Sequence, residues 1–328
     1  MSITKAIDVA FVRFRAPDLN LMRRFLLDFG MADAKPGMPE GGPIYMRGAQ
    51  AGPFIHATEQ GDPGFAGYGI WVKDRADLDR LAAHDRVPVE ALESPGGGFR
   101  VRLTDPDGFT VDVVAGQQMA PIISPTANGP WNQNGEYPRI GEVRRLERGP
   151  AHVLRLGHVV LAVKDFRRSE AWYKERFGLI TSDEIQPAPG VTIGGFMRCD
   201  RGEEPCDHHT LFLFQAPHAP AFMHAAFEVR DLDDLMVGHD YLERAGHKPY
   251  WGVGRHVLGS QVFDYWLDPW GHEIEHWTDG DKMRAADGGG IGSLAQLLNV
   301  QWGMHMPPIP GLTDAPPDEL DRVIGSHA

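Results

Sequence analysis

The chain repeats itself, and nothing else in the sequence narrows its fold as much, because every copy of a repeated unit must bury its apolar face in the same way. PDLNLMRRFLLDFGM (17–31) parallels KDFRRSEAWYKERFGL (164–179). Both read as helices with apolar residues three and four apart, closing at Gly30 and Gly178, where a helix C-terminus favours glycine. Each follows a β-branched or aromatic run of strand type, VAFVRF or HVVLAV. A second pair keeps the same order: GIWVKDRADLDRLAAHDRVP (69–88) with AFEVRDLDDLMVGHDYLERAGHKP (226–249), then RLTDPDGFTVDVVAG (102–116) with YWLDPWGHEIEHWTDG (265–280). Asp-Pro-x-Gly marks a tight turn between antiparallel strands.

The pattern predicts an α+β fold of tandem βαβββ modules, two per domain, each domain an open mixed-sheet barrel. The modules fall at about 5–58, 65–116, 153–216 and 222–280. That places an N-terminal domain at 1–125, a Gly/Pro/Asn-rich linker at 126–150, a C-terminal domain at 151–280 and a tail at 281–328. In the tail only Ser293 to Val300 reads as a short helix; the rest packs on the body or covers an opening.

Composition removes several function classes. The chain has 45 acidic and 32 basic residues, a net charge of -13 that repels phosphate backbones and anionic membranes. No run approaches the ~20 apolar residues of a membrane span. The N-terminus lacks the apolar block of a secretory signal, so the expectation is a cytoplasmic protein without nucleic-acid or membrane partners. Cys199 and Cys206 are too few for a disulfide framework and read as incidental reduced thiols.

The two halves differ where chemistry would sit. His158 lies on the first strand of the third module, His224 on the first strand of the fourth, and Glu275 on the last strand, whereas the matching first-half positions fall near Phe11, Gly67 and Asp112. Two neutral imidazoles and one carboxylate, with other coordination positions open, suit non-haem iron(II); manganese shares the preference for nitrogen and oxygen ligands. Glu273 shares the strand face of Glu275 and is the competing carboxylate.

With these residues in view, the chain resembles the type I extradiol ring-cleavage dioxygenases of the vicinal oxygen chelate superfamily. The family's closing motif, Gly-x-x-x-Glu preceded by a Tyr and a His, matches GRHVLGSQVFDYWLDPWGHEIEHW through His256, Tyr265 and Glu275, at separations of nine and ten residues. The resemblance implies that His158, His224 and Glu275 hold Fe(2+), with one metal site in the C-terminal domain and none in the N-terminal one. It selects His209, fifteen residues before His224, as the acid-base group. His208 is left in solvent or behind it, since adjacent strand residues face opposite sides. It gives His256 and Tyr265 hydrogen-bonding roles toward substrate and bound oxygen. Tyr250 and Trp251 are candidates for the pocket wall, against ordinary packing. The implied reaction is cleavage of a catechol-type diol by O2, in a homo-oligomer. The competing readings are a glyoxalase or isomerase of the same superfamily, which usually needs a fourth protein ligand, and a non-catalytic small-molecule binding protein.

Overall fold

The structure, a computed structural model, describes residues 2–34, 42–125 and 128–307. The predicted tail therefore lies outside the described residues from 308 onward.

Four βαβββ units follow one another. The first is β1 (Ala6–Ala16), α1 (Leu19–Asp28), β2 (Ala32–Asp33), β3 (Ile44–Arg47) and β4 (His56–Gln60); the second is β5 (Gly64–Val72), α2 (Arg75–Asp85), β6 (Val89–Ala91), β7 (Phe99–Thr104) and β8 (Thr110–Ala115). The third is β9 (Val153–Val163), α3 (Phe166–Phe177), β10 (Ile180–Ile185), β11 (Gly194–Arg198), a short β12 (Cys206–Asp207) and β13 (Leu211–Gln215). The fourth is β14 (Ala221–Val229), α4 (Leu232–Arg244), β15 (Lys248–His256), β16 (Val262–Leu267) and β17 (Glu273–Thr278). The sequence beyond adds β18 (Lys282–Met283), β19 (Gly290–Gly292), α5 (Leu294–Leu298) and β20 (Val300–Gly303).

Each unit's helix starts the same way for the same reason. Asp18, Asp74, Asp165 and Asp231 are N-caps whose carboxylates accept from the backbone N–H of Leu21, Asp77, Arg168 and Asp234. Each satisfies an otherwise unpartnered donor, and losing such a cap costs about 1 kcal/mol. The chain leaves α3 through Gly178 at φ 63°, a left-handed position glycine adopts without strain. The Asp-Pro-x-Gly segments close as expected, with Gly108 N–H donating to the Asp105 carbonyl and Gly271 N–H to that of Asp268.

Strands β1 to β8 make one mixed sheet in the order β2-β3-β4-β1-β5-β8-β7-β6, and a ten-stranded sheet runs β19-β10-β11-β13-β9-β14-β17-β16-β15-β20. Most of their buried apolar residues join in one core that runs from Val12, Phe14 and Tyr68 to Phe227, Trp266 and Ile274, with smaller clusters apart from it, one of them around Phe196 and Phe212. Polar contacts also cross it: Tyr68 donates to Tyr173 at 2.8 Å, Tyr173 to Asp105 at 2.8 Å, and His276 Nε2 to the Phe29 carbonyl at 2.7 Å. Residues 128–150 form no regular strand or helix, and Asn128 and Arg144 fasten them to Asp231 and Asp233 at the start of α4. Cys199 and Cys206 are free and buried. Among the described residues no helix is long and apolar enough to cross a membrane.

Residues 281–307 carry more regular structure than the sequence suggests: β19 pairs with β10, β20 pairs with β15, and α5 opens on a capping box between Ser293 and Gln296.

Candidate metal centre

Register brings the three predicted ligands to one place. Ala226 on β14 is opposite His158 on β9 and also beside Glu275 on β17. His224, two residues before Ala226, shares its face, and Tyr265 on β16 stands opposite Glu275. Alanine between the ligands keeps the floor low. Gly157 does the same for the neighbouring aromatic, since a Cβ there would meet the Trp277 ring at 2.6 Å.

The Nε2 atoms of His158 and His224 lie 3.4 and 3.3 Å from Glu275 Oε2. The ligand atoms of all three residues fall within 4.8 Å of one another, the one such set of three or more found among the described residues. Glu275 is wholly buried, and both its oxygens lack a hydrogen-bond donor. A bare buried carboxylate costs several kcal/mol unless something compensates its charge. Two imidazoles and an orphaned anion converging without a donor fit a divalent cation. Burial alone would raise the Glu275 pKa, but His158, His224 and His256 around it outweigh that and hold it well below the usual carboxylate range. Burial lowers the His158 pKa, which favours the neutral, metal-binding imidazole.

The predicted partners surround this group. His209 is buried, its ring centroid 4.1 Å from that of His158, and burial together with His158 and His208 holds its pKa well below the ordinary value. His256 Nε2 and Tyr265 Oη are hydrogen-bonded at 3.1 Å, and the same nitrogen is 3.8 Å from Glu275 Oε1. Burial, then Glu275, raises the Tyr265 pKa well above 10, so the phenol keeps its proton. His158, His209, His224, His256 and Tyr265 all line one cavity of about 120 Å³, walled by Phe196, Phe212, Phe214 and Trp251. Tyr250 also lines it, beside Glu273; burial and that carboxylate push the tyrosine up to about 12. Burial raises Glu273 as well.

His208 and the tail take more specific places than the sequence shows. His208 is buried behind His209, one of the two places the sequence left open for it, but it is not turned to the opposite face. Residues 208–210 bend out of strand geometry, so strict alternation does not apply, and both rings pack against Phe196. His208 instead bridges His209 and Asp183, a residue sequence reasoning did not single out. The tail, expected to pack on the body or to cover an opening, lines the cavity with Gln296, Leu297, Leu298 and Met306, and the Met304 carbonyl accepts from Trp251 Nε1 at 2.8 Å. The Ser293–Gln296 capping signal marks that helix in sequence, but nothing there shows where it docks.

Residues 155–276 match the family model described as Glyoxalase/Bleomycin resistance protein/Dioxygenase superfamily. Metapyrocatechase 2 of Cupriavidus necator is 31% identical over 296 residues, covering 89% of this chain and 87% of that protein. An iron-dependent extradiol dioxygenase of Rhodococcus jostii (strain RHA1) is 28% identical over 137 residues, 39% of this chain and 44% of that one. Among solved structures, the anaerobic substrate complex of homoprotocatechuate 2,3-dioxygenase from Brevibacterium fuscum superimposes with a TM-score of 0.77 at 18% identity, covering 96% of this chain and 93% of that one. At that identity the likeness concerns the fold.

Proposed function

The chain belongs to the extradiol dioxygenases of the glyoxalase/bleomycin resistance protein/dioxygenase superfamily, and from that premise we propose that it cleaves the ring of a catechol-type diol with O2 at an iron(II) ion held by His158, His224 and Glu275. The observation that carries this reading is the convergence of His158, His224, His209, His256 and Tyr265 on one aromatic-walled cavity, with the Glu275 carboxylate buried against the two ligand imidazoles.

Iron(II) bound there supplies positive charge that favours the ionised diol and a path for electrons from the ring to O2. The protein's contribution is positioning. Phe196, Phe212, Phe214 and Trp251 present flat apolar surfaces to an aromatic ring and keep water out. Tyr265 and His256, already hydrogen-bonded to each other, fix the orientation of the diol oxygens. His209, on the His158 side of the cavity, is the group that takes up and later returns a proton. Preorganised groups of this kind act where charge develops, without reorganising during the reaction.

The assignment includes a cytoplasmic location and a homo-oligomer. The latter draws support from exposed apolar side chains in one extended stretch, Ile122, Trp131, Tyr137, Ile140 and Val143, with Ile140 85% exposed. Light scattering on the purified protein decides it; a monomer at all concentrations removes that part.

Anaerobic reconstitution with iron(II), followed by a panel of catechols and air, tests the activity. A yellow ring-fission product with matching O2 uptake is expected. Fully iron-loaded protein that consumes no O2 with any catechol overturns the reading.

A further inference from the structure

Asp183, His208 and His209 form a hydrogen-bonded line that ends in the cavity. Asp183 Oδ2 lies 2.8 Å from His208 Nε2, and His208 Nδ1 lies 3.0 Å from His209 Nδ1. Its middle member is held on every side. The His208 N–H donates to the Asp281 carbonyl at 3.0 Å, and the His208 carbonyl accepts from Ser182 Oγ at 2.6 Å. The ring rests against Gly259, where a Cβ would stand 2.9 Å from Nδ1. Asp183 is held in turn by the parallel pairing of β10 with β19, and a Cβ on Gly290 would meet its Oδ1 at 2.3 Å. Both imidazoles are buried, while the Asp183 side chain is 19% exposed.

Donor and acceptor roles along the line follow from its outer end. An ionised carboxylate only accepts, so His208 Nε2 carries a hydrogen. A neutral imidazole carries one, which leaves a lone pair on His208 Nδ1. His209 Nδ1 must then be the donor, and His209 Nε2 keeps its lone pair.

We propose that Asp183 and His208 are positioning residues that fix the tautomer of His209 with its free nitrogen available to the cavity, and that the line relays the proton His209 accepts. The proposal rests on the ring-cleavage reading above. When a substrate hydroxyl gives its proton to His209 Nε2, an N–H bond forms there, the N–H bond at His209 Nδ1 breaks, and a new one forms at His208 Nδ1. The substrate is left an anion. The positive charge resides on His208 against the Asp183 carboxylate, not on His209 among the buried imidazoles of the metal centre, where an uncompensated charge is costly. The reverse transfer returns the proton.

Two measurements test this. Two-bond 15N–1H correlation spectra of the zinc-substituted, diamagnetic protein are expected to show His209 protonated at Nδ1 and His208 at Nε2; His209 protonated at Nε2 overturns the proposal. In the iron-loaded protein, Asp183→Asn removes the negative charge while keeping the shape. Its kcat is expected to fall roughly 10²-fold, at the low end of what acid-base catalysis supplies, with iron content and catechol KM unchanged, and Asp183→Glu should recover most of the loss. Unchanged kcat, or turnover lost only in proportion to lost iron, overturns the relay. A wild-type protein inert toward every catechol sinks the ring-cleavage reading instead, while the spectra of the zinc form still decide the tautomers.

Discussion

Asp112 holds in the first sheet the register position that Glu275 holds in the second, yet guanidinium groups saturate its carboxylate. Gly69 is opposite Phe11 and beside Asp112, as Ala226 is to His158 and Glu275, and Arg102 stands where Tyr265 stands. Arg13 Nη1 and Arg102 Nε lie 2.8 and 2.7 Å from the Asp112 oxygens, and the Phe11 ring covers Gly69. Fixed charges thus do in one half what the proposed metal would do in the other. One tightly bound metal ion per chain is expected, unaltered by Asp112→Asn; elemental analysis finding two ions, one of them lost in that variant, would show the first half to be a second site.

Binding and chemistry should separate on mutation. Glu275→Ala removes the only anion of the proposed ligand set, so iron affinity and activity should vanish together. His209→Asn should keep its iron while turnover falls roughly 10²- to 10⁴-fold, the ordinary range for acid-base catalysis. Iron content and kcat measured on the same samples decide it: iron loss in His209→Asn equal to that in Glu275→Ala makes His209 a ligand.

His56, buried where its ring stacks on Phe14, imposes an acid limit on stability. Burial lowers its pKa to about 3, so between there and about 6.5 the unfolded chain takes up a proton that the folded one refuses. Its contribution is complete above the unfolded value and is lost as pH falls, by up to about 1.4 kcal/mol per pH unit. His56→Phe should flatten the decline of unfolding free energy between pH 7 and 4.5. An identical slope in the variant would mean that His56 does protonate in the folded protein.

Asp8 works in the opposite direction. Burial, reinforced by Asp207, pushes it up to about 7 against the pull of Arg155. A raised carboxyl pKa stabilises the fold below the unfolded value, and that contribution is lost as pH rises toward 7. Asp8→Asn should therefore gain on the wild type from pH 5 to pH 8 in denaturant titrations. A difference that is constant, or shrinks with pH, contradicts the assignment.

The four-module architecture was legible because its signals are local and repeated: an Asp cap before each helix, Asp-Pro-x-Gly between the closing strands, and alternation along strands that carry His158, His224 and Glu275. The Asp183–His208 contact was not legible. It joins residues 25 apart through the packing of β10 against β11 and β13, and it depends on a bend at 208–210 that strand alternation does not anticipate. The docking of Leu297 and Met306 on the cavity likewise follows from three-dimensional closure and not from any local pattern.

The placement of β19 and β20 reaches beyond the cavity. They lie outside β10 and β15, the strands that would otherwise end the ten-stranded sheet with open rows of N–H and C=O groups. Such rows are templates for pairing with other chains. A chain cut just before Gly290 would retain every proposed metal ligand and still offer a bare rim on each side, so a late truncation would threaten the protein first by aggregation and only second by loss of the pocket wall.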